Sequence, residues 1–293
     1  MSTTLALGFD FDDTLAPDST SAFLASLGLD VADFWSRRVQ RLLDDDWDPI
    51  PAYLAMMIEE SRSRPPEDRI TRDRLRAFGE TVDFFPGVKS MFGKLRKAAK
   101  EVDPQIDIEF YLISSGLGDV LRTTAIASSF ADIWASDFAC AGDPGLPPPP
   151  PERAGDLVPG EIVAARNVVS FTEKTRFLFQ ISKGLVGPEY RGKPTEVNQR
   201  VQSGDYRIPF KQMIFVGDGH TDIPCFQIVR RYEGVAFAVY DPDRRQKWGK
   251  SWDLIEAGRV NSLCRAKFGK NDELHQQLLM AASSLARKAL ERD

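Results

Sequence analysis

Acidic residues follow two predicted buried strands in this chain of 293 residues. The first acidic segment, DFDDTL at residues 10–15, comes directly after an apolar run at residues 4–9. Side chains alternate along an extended chain, so Asp10 and Asp12 project to the same side. Two converging carboxylates repel each other unless a cation lies with them. A plain acidic turn is the alternative interpretation of this segment.

A second acidic segment, GDGHTD at residues 217–222, follows a strand predicted over residues 212–216. Its glycines permit a tight turn, and Asp218 and Asp222 are expected to face the same cleft. Hard divalent cations prefer oxygen ligands, and Mg²⁺ above all fits such a set of carboxylates. The sequence therefore predicts a magnesium site formed by the acids that follow the two strands.

Two hydroxyls and a lysine offer contacts for an anion. Ser114 and Ser115 follow a strand predicted over residues 106–113, and Gly116 begins a predicted helix whose free amides can bind an anion. Lys174 lies in the first turn of another predicted helix, where the helix dipole disfavours a positive charge. This local violation indicates a functional use. The alternatives are a simple helix cap for the hydroxyls and a solvated surface position for the lysine.

Strands that alternate with helices predict an α/β fold, in which a doubly wound parallel sheet carries helices on both faces. Ligands bind such sheets beyond the carboxyl ends of the strands, where these residues lie. Between the first two strands the pattern is helical, with N-caps at Asp30 and Thr71. We therefore expect a helical module over residues 16–85, inserted into a core formed by residues 1–15 and 86–293.

Three further predictions concern the connections. A helix is expected over residues 116–130, and one or two short strands are expected within residues 161–170. Prolines 147–151 follow one another, which predicts a polyproline connection without a helix or sheet of its own.

Composition excludes several classes of function. Lys plus Arg number 38 and Asp plus Glu number 43, a net charge of −5, which argues against a dedicated nucleic-acid binder. No stretch approaches the roughly 20 apolar residues of a membrane span, and we expect no signal peptide. The three cysteines form no spaced pair, which predicts free thiols and a cytoplasmic location.

Taken in order, these segments resemble the four motifs of the haloacid dehalogenase (HAD) superfamily. The matching residues are Asp10-x-Asp12-x-Thr14, Ser114, Lys174 and Gly217-Asp218-x-x-x-Asp222. The resemblance spans residues 5 to about 240, and it implies a Rossmann-like core. The helical module lies where this family carries a C1 cap. The segment FFPG at residues 84–87 is similar to the cap exit of phosphoserine-phosphatase-like members.

The resemblance implies a Mg²⁺-dependent phosphatase that acts on a small soluble phosphorylated metabolite. Asp10 would attack phosphorus and form an aspartyl phosphate. Asp12 would protonate the leaving oxygen and then activate water, a role that favours phosphatases and phosphomutases within the family. Ser114 and Lys174 would hold the phosphoryl oxygens.

The resemblance also implies the ligand sets. The expected metal ligands are Asp10, Asp12 through its main-chain carbonyl, Asp218 and Asp222. The expected substrate contacts are Thr14, Ser115 and Gly116. For Asp222, orienting Lys174 is an alternative to binding the metal.

Two other functions are compatible with the same residues. A phosphomutase would keep the aspartyl phosphate away from water long enough to donate it again. A non-catalytic binding or scaffolding module would keep the fold without turnover. The sequence indicates no oligomeric state.

Overall fold

The computed structural model describes residues 3–148, 155–202, 204–241, 243 and 248–291. A seven-stranded sheet organises these residues. Its strands are β1 (Thr3–Phe9), β2 (Ile106–Leu117), β3 (Asp132–Cys140), β4 (Ile162–Asn167), β5 (Met213–Gly217), β6 (Val235–Tyr240) and β7 (Ser262–Arg265). They lie side by side in the order β4-β3-β2-β1-β5-β6-β7. Because β1 lies at the centre and the chain winds outward on both sides of it, the sheet is doubly wound, as predicted.

One edge strand departs from the predicted parallel sheet. All neighbouring strands are parallel except β4, which runs antiparallel to β3. The pairing of β3 with β4 continues past the strands, where the N–H of Ala141 donates to the carbonyl of Glu161 at 2.8 Å. Antiparallel pairing joins two consecutive strands without a crossover to the far end of the sheet.

Helices cover both faces of the sheet. They are α1 (Ser19–Ser26), α2 (Val31–Asp33), α3 (Gln40–Asp44), α4 (Pro49–Ser63), α5 (Arg72–Gly79), α6 (Val88–Val102), α7 (Gly118–Leu121), α8 (Phe171–Lys183), α9 (Ile223–Arg231), α10 (Trp248–Glu256) and α11 (Glu273–Leu290). Residues Phe34–Val39 form a π-helical turn between α2 and α3. None of these helices is both long enough and apolar enough to cross a membrane, within the part of the chain that the structure describes.

The alternation of side chains along β1 divides the core into two layers. Leu5, Leu7 and Phe9 pack with α6 and α11 on one face of the sheet. Ala6 belongs to the cluster on the other face, which α8 and α9 cover. A strand buried on both faces needs a continuous apolar run, and this is what the sequence of β1 provides.

Helices α1 to α5 occupy the predicted helical module. The predicted N-caps are confirmed: Asp30 accepts a hydrogen bond from the N–H of Asp33 at 3.0 Å, and Thr71 accepts one from Arg74 at 3.3 Å. Buried apolar residues of these helices form a third cluster, which extends onto β2, β3 and β4. The division of the chain into two domains stays a prediction.

The prediction of a helix over residues 116–130 is wrong. Strand β2 continues to Leu117, and α7 is a single turn. The hydroxyls of Thr123 and Thr124 donate to main-chain carbonyls three residues before them, at 3.0 and 2.8 Å. The N–H groups of the same threonines donate to the same carbonyls, a three-residue spacing that is typical of a turn and not of a continuing α-helix.

Of three further secondary-structure elements, one was predicted and two were not. The strand expected within residues 161–170 is β4. Strand β7 and helix α10 were not predicted. Part of the predicted polyproline connection, residues 149–151, lies outside the described residues.

A buried ion pair joins the helical module to the start of β4. Arg69 Nη1 lies 2.9 Å from Glu161 Oε1, and the side chain of Glu161 is fully buried. The second carboxylate oxygen accepts a hydrogen bond from the N–H of Val158 at 3.2 Å. Removing one partner of such a pair leaves an uncompensated buried charge.

We expect Glu161→Ala to lower the free energy of unfolding by about 3–5 kcal/mol, because it leaves the Arg69 guanidinium buried without its main partner. Urea denaturation followed by circular dichroism measures the change. Arg37→Ala is the matched control, since Arg37 pairs with Asp33 at 2.9 Å while remaining 81% exposed. Equal effects of the two substitutions would contradict the structural importance of the buried pair.

Candidate active site

The turn after β1 holds the first acidic segment at the carboxyl edge of the sheet. The N–H of Asp10 donates to the carbonyl of Val216 at 2.9 Å, so the pairing of β1 with β5 continues one residue past β1. The N–H of Leu15 then donates to the carbonyl of Phe11 at 2.8 Å and closes the turn. Asp13 takes a left-handed conformation with φ of +55° within this turn. The turn thereby leaves Asp10 and Asp12 at the edge of the sheet.

A buried lysine lies between two carboxylates. Lys174 Nζ lies 2.8 Å from Asp10 Oδ2 and 2.7 Å from Asp222 Oδ1, and its side chain has no exposed surface. Burial alone would lower the pKa of Lys174, but the charges of Asp10 and Asp222 raise it above its ordinary value. The lysine therefore stays charged, and its interpretation as a solvated surface residue is wrong.

Acids of both segments lie close together in the structure. Carboxylate oxygens of Asp10, Asp218 and Asp222 all lie within 4.8 Å of one another. Burial, followed by the charge of Asp10, raises the pKa of Asp222 to about 7. Two of these three carboxylates pair with the Lys174 ammonium, so full ionisation of the cluster leaves two negative charges for an added cation to balance. Oxygen donors with this excess charge fit a hard divalent cation such as Mg²⁺.

Asp12 differs from the acids around Lys174 in its electrostatic environment. Desolvation raises the pKa of Asp12 to about 8, and the charges of Asp18 and Asp10 add to this rise. The N–H of Ser19 acts in the opposite direction, donating to Asp12 Oδ1 at 2.7 Å. A carboxyl group with such a pKa keeps its proton at neutral pH and can donate it to a leaving group.

The carboxyl end of β2 brings its hydroxyls to the same place. Ser114 is buried, and its Oγ accepts a hydrogen bond from the N–H of Gly116 at 3.0 Å. A Cβ on Gly116 would lie 2.7 Å from Asp12 Oδ2, so only glycine allows this close approach. Ser115 Oγ is buried and has no hydrogen-bond partner among the described residues, which leaves it open to an anion.

A cavity of about 440 Å³ opens above these groups. The predicted site residues that line it are Asp10, Asp12, Ser114, Ser115, Gly116 and Asp218. Lys174 and Asp222 have no exposed surface and do not line the cavity. Thr14 is also fully buried outside the lining, and its contact with substrate stays a prediction.

Sequence reasoning missed the wall that the helical module contributes to this cavity. Trp35 and Tyr53 belong to it, and the hydroxyl of Tyr53 donates to the carbonyl of Ser115 at 2.6 Å. The only sequence signal was the apolar face of each helix, and that face is equally typical of core packing.

Comparison with known proteins gives one curated relative. No protein-family model matches the chain. An uncharacterized protein of Borreliella burgdorferi is 26% identical over 289 residues, which cover 94% of this chain and 95% of that protein.

Solved structures share the architecture described above. A HAD-family hydrolase of Salmonella enterica serovar Typhi superposes with a TM-score of 0.52 at 14% identity, over 83% of this chain and 64% of that one. A probable phosphoserine phosphatase of Vibrio cholerae superposes with a TM-score of 0.55 at 12% identity. The match covers 98% of this chain and 67% of that one. A phosphoserine phosphatase with a phospho-aspartyl intermediate analogue superposes with a TM-score of 0.50 at 11% identity. The match covers 94% of this chain and 98% of that one. This chain has the fold of the HAD-family hydrolases.

The shared fold confirms the predicted α/β architecture and agrees with the resemblance to the HAD superfamily. The chain spans less than two thirds of the Salmonella hydrolase, 64% of its length. At these identities the likeness establishes the fold.

We expect Mg²⁺ to raise the melting temperature of the protein, because a cation bound only by the folded chain stabilises it, by about 2.7 kcal/mol at 100 times its Kd. Asp218→Asn should reduce this shift strongly. Differential scanning fluorimetry with and without Mg²⁺ measures it. Asp18→Asn is the matched control: Asp18 lines the cavity outside the cluster, and asparagine can still cap α1. An unchanged shift in Asp218→Asn would exclude the predicted metal site.

Proposed function

We propose that this chain is a Mg²⁺-dependent phosphomonoesterase, which acts on a small soluble phosphorylated metabolite through an aspartyl-phosphate intermediate. The observation that carries the proposal is the position of Lys174 Nζ, 2.8 Å from Asp10 and 2.7 Å from Asp222. A carboxylate nucleophile, a cation for phosphoryl oxygens and acids for a metal lie together there. The three buried free cysteines support a cytoplasmic location.

Asp10 is the nucleophile in this proposal. Its Oδ1 accepts a hydrogen bond from the N–H of Phe11 at 2.7 Å and its Oδ2 pairs with Lys174, so the carboxylate is held in one orientation. One of its oxygens bonds to phosphorus as the bond from phosphorus to the alcohol oxygen breaks. Dividing the hydrolysis into two displacements lowers the barrier of each.

Asp12 moves the proton in both displacements. Its carboxyl group, with a pKa raised to about 8, protonates the departing alcohol oxygen. The resulting carboxylate then accepts a proton from the water that attacks phosphorus, and the bond between Asp10 and phosphorus breaks. Phosphate leaves, and Asp12 is protonated again.

The remaining groups hold the phosphoryl oxygens while charge develops on them. Lys174 supplies a positive charge in a buried setting, and Ser114 and Ser115 supply hydroxyls. Asp222 positions Lys174 through their contact of 2.7 Å. Asp10, the carbonyl of Asp12, Asp218 and Asp222 would hold the cation. Bound Mg²⁺ would neutralise phosphate charge and lower the repulsion that a carboxylate nucleophile meets.

The helical module of residues 16–85 acts as the cap in this proposal. It forms one wall of the cavity and makes the hydrogen bond from Tyr53 to Ser115. A wall of this kind excludes bulk water from the reacting groups and contacts the leaving alcohol. We infer that residues 1–15 and 86–293 form the catalytic core below it.

We expect Asp10→Asn to lower the hydrolysis of p-nitrophenyl phosphate by about 100-fold or more in the presence of Mg²⁺, because an amide cannot replace the carboxylate nucleophile. Released p-nitrophenol measures the rate. Asp107→Asn is the matched control, since Asp107 is an exposed carboxylate at the opposite end of β2. Undiminished activity in Asp10→Asn would overturn the mechanism. Ligand binding without turnover of any phosphomonoester would instead support a non-catalytic module.

We expect Gly116→Ala to lower kcat about 10- to 100-fold, because the added methyl group would lie 2.7 Å from Asp12 Oδ2 and displace the proton donor. Steady-state kinetics with the same ester measures the effect. Gly93→Ala is the control, since a Cβ at Gly93 in α6 meets no atom within 4 Å. An unchanged kcat in Gly116→Ala would contradict the role of Asp12.

A further inference from the structure

The cavity wall above the catalytic acids is uncharged over most of its extent. It comes from α3, α4 and the π-helical turn between α2 and α3. Its apolar and aromatic members are Trp35, Val39, Leu43, Pro49, Ile50 and Tyr53. A ligand in this cavity therefore meets apolar surface on the side away from Asp10.

The polar atoms of the two aromatic residues, Trp35 and Tyr53, already form hydrogen bonds within the protein. Trp35 Nε1 donates to Ser21 Oγ at 2.9 Å, and Tyr53 donates its hydroxyl to the carbonyl of Ser115 at 2.6 Å. The two rings contact each other, with centroids 5.7 Å apart. Both side chains are thus held in place, and what they offer to a ligand is ring surface.

The ionisable side chains that line the cavity, among the described residues, are all acidic. The acids that line it are Asp10, Asp12, Asp13, Asp18 and Asp218, whereas no lysine or arginine among the described residues does so. Arg38 and Arg64 of the helical module form ion pairs with Glu60 instead. Lys174 has no exposed surface and is paired with two carboxylates, so it offers no cation to the cavity wall.

We propose that the substrate is a phosphomonoester whose leaving alcohol carries no anionic group and presents an apolar or aromatic face to Trp35 and Tyr53. This inference rests on the phosphomonoesterase function proposed above. A carboxylate on the alcohol would lose its hydration without gaining a cation, and it would be repelled by the acids around it. Phosphoserine, the substrate named for two of the structural relatives, carries such a carboxylate and falls outside this class.

A matched pair of esters tests the proposal. Phenyl phosphate and 4-carboxyphenyl phosphate differ only in a carboxylate that points away from phosphorus. The carboxylate makes the phenol a slightly better leaving group, so the chemical step by itself favours the charged ester. We expect kcat/KM to be at least about tenfold higher for phenyl phosphate with Mg²⁺, and phosphoserine to be a poor substrate.

Variants at Leu43 identify the cause of the discrimination. Leu43 is a partly exposed wall residue, so a longer polar side chain can reach solvent or the ligand. We expect Leu43→Arg to bring the ratio of the two kcat/KM values toward one, and Leu43→Gln to leave it close to that of the original chain. Each variant is compared by its own ratio, which makes the result independent of a general loss of activity.

The outcomes separate the two proposals. Equal or faster turnover of 4-carboxyphenyl phosphate would overturn this inference while leaving the phosphomonoesterase in place. The same ratio in Leu43→Arg and Leu43→Gln would overturn the electrostatic explanation. Absence of turnover of either ester would overturn the proposed function, and this inference with it. If Leu43→Arg does not fold, the ratio measured for the original chain decides the question.

Discussion

The site depends on the ion pairs that the buried ammonium of Lys174 forms with Asp10 and Asp222. Burying a charge without partners costs several kcal/mol, and here two carboxylates compensate it, at 2.8 and 2.7 Å. The turns that follow β1 and β5 hold those two carboxylates in position. A Cβ on Gly217 would collide with the Asp222 carboxylate, so glycine at the end of β5 is a condition for the lysine contact.

The order of the strands brings segments that are distant in sequence together at one site. Asp10 and Asp222 are far apart in sequence, but β1 pairs directly with β5, and their carboxyl ends lie at one edge of the sheet. Strand β2 lies on the other side of β1 and brings Ser114 to the same edge. Because the central strands are parallel, every strand that contributes to the site does so at the end where its helix connection begins.

In the proposed enzyme, chemistry and selectivity come from different parts of the molecule. The segments after β1 and β5 and the first turn of α8 supply the charged groups, and the end of β2 supplies hydroxyls. The helical module supplies apolar surface and the link from Tyr53 to Ser115. Under the proposed function, changes in that wall would therefore alter which alcohol is accepted while the groups around Lys174 stay in place.

The central strands, their alternation with helices and the acids at the strand ends can be predicted from the amino-acid sequence, because they follow from local patterns of apolar residues and from short motifs. Local patterns did not reveal the early end of α7 or the antiparallel pairing of β4. The burial of Lys174, the position of Thr14 outside the cavity and the positions of Trp35 and Tyr53 in its wall emerge from the folded arrangement alone. An apolar helix face has the same pattern whether it packs into a core or lines a cleft, and the arrangement of neighbouring elements distinguishes the two.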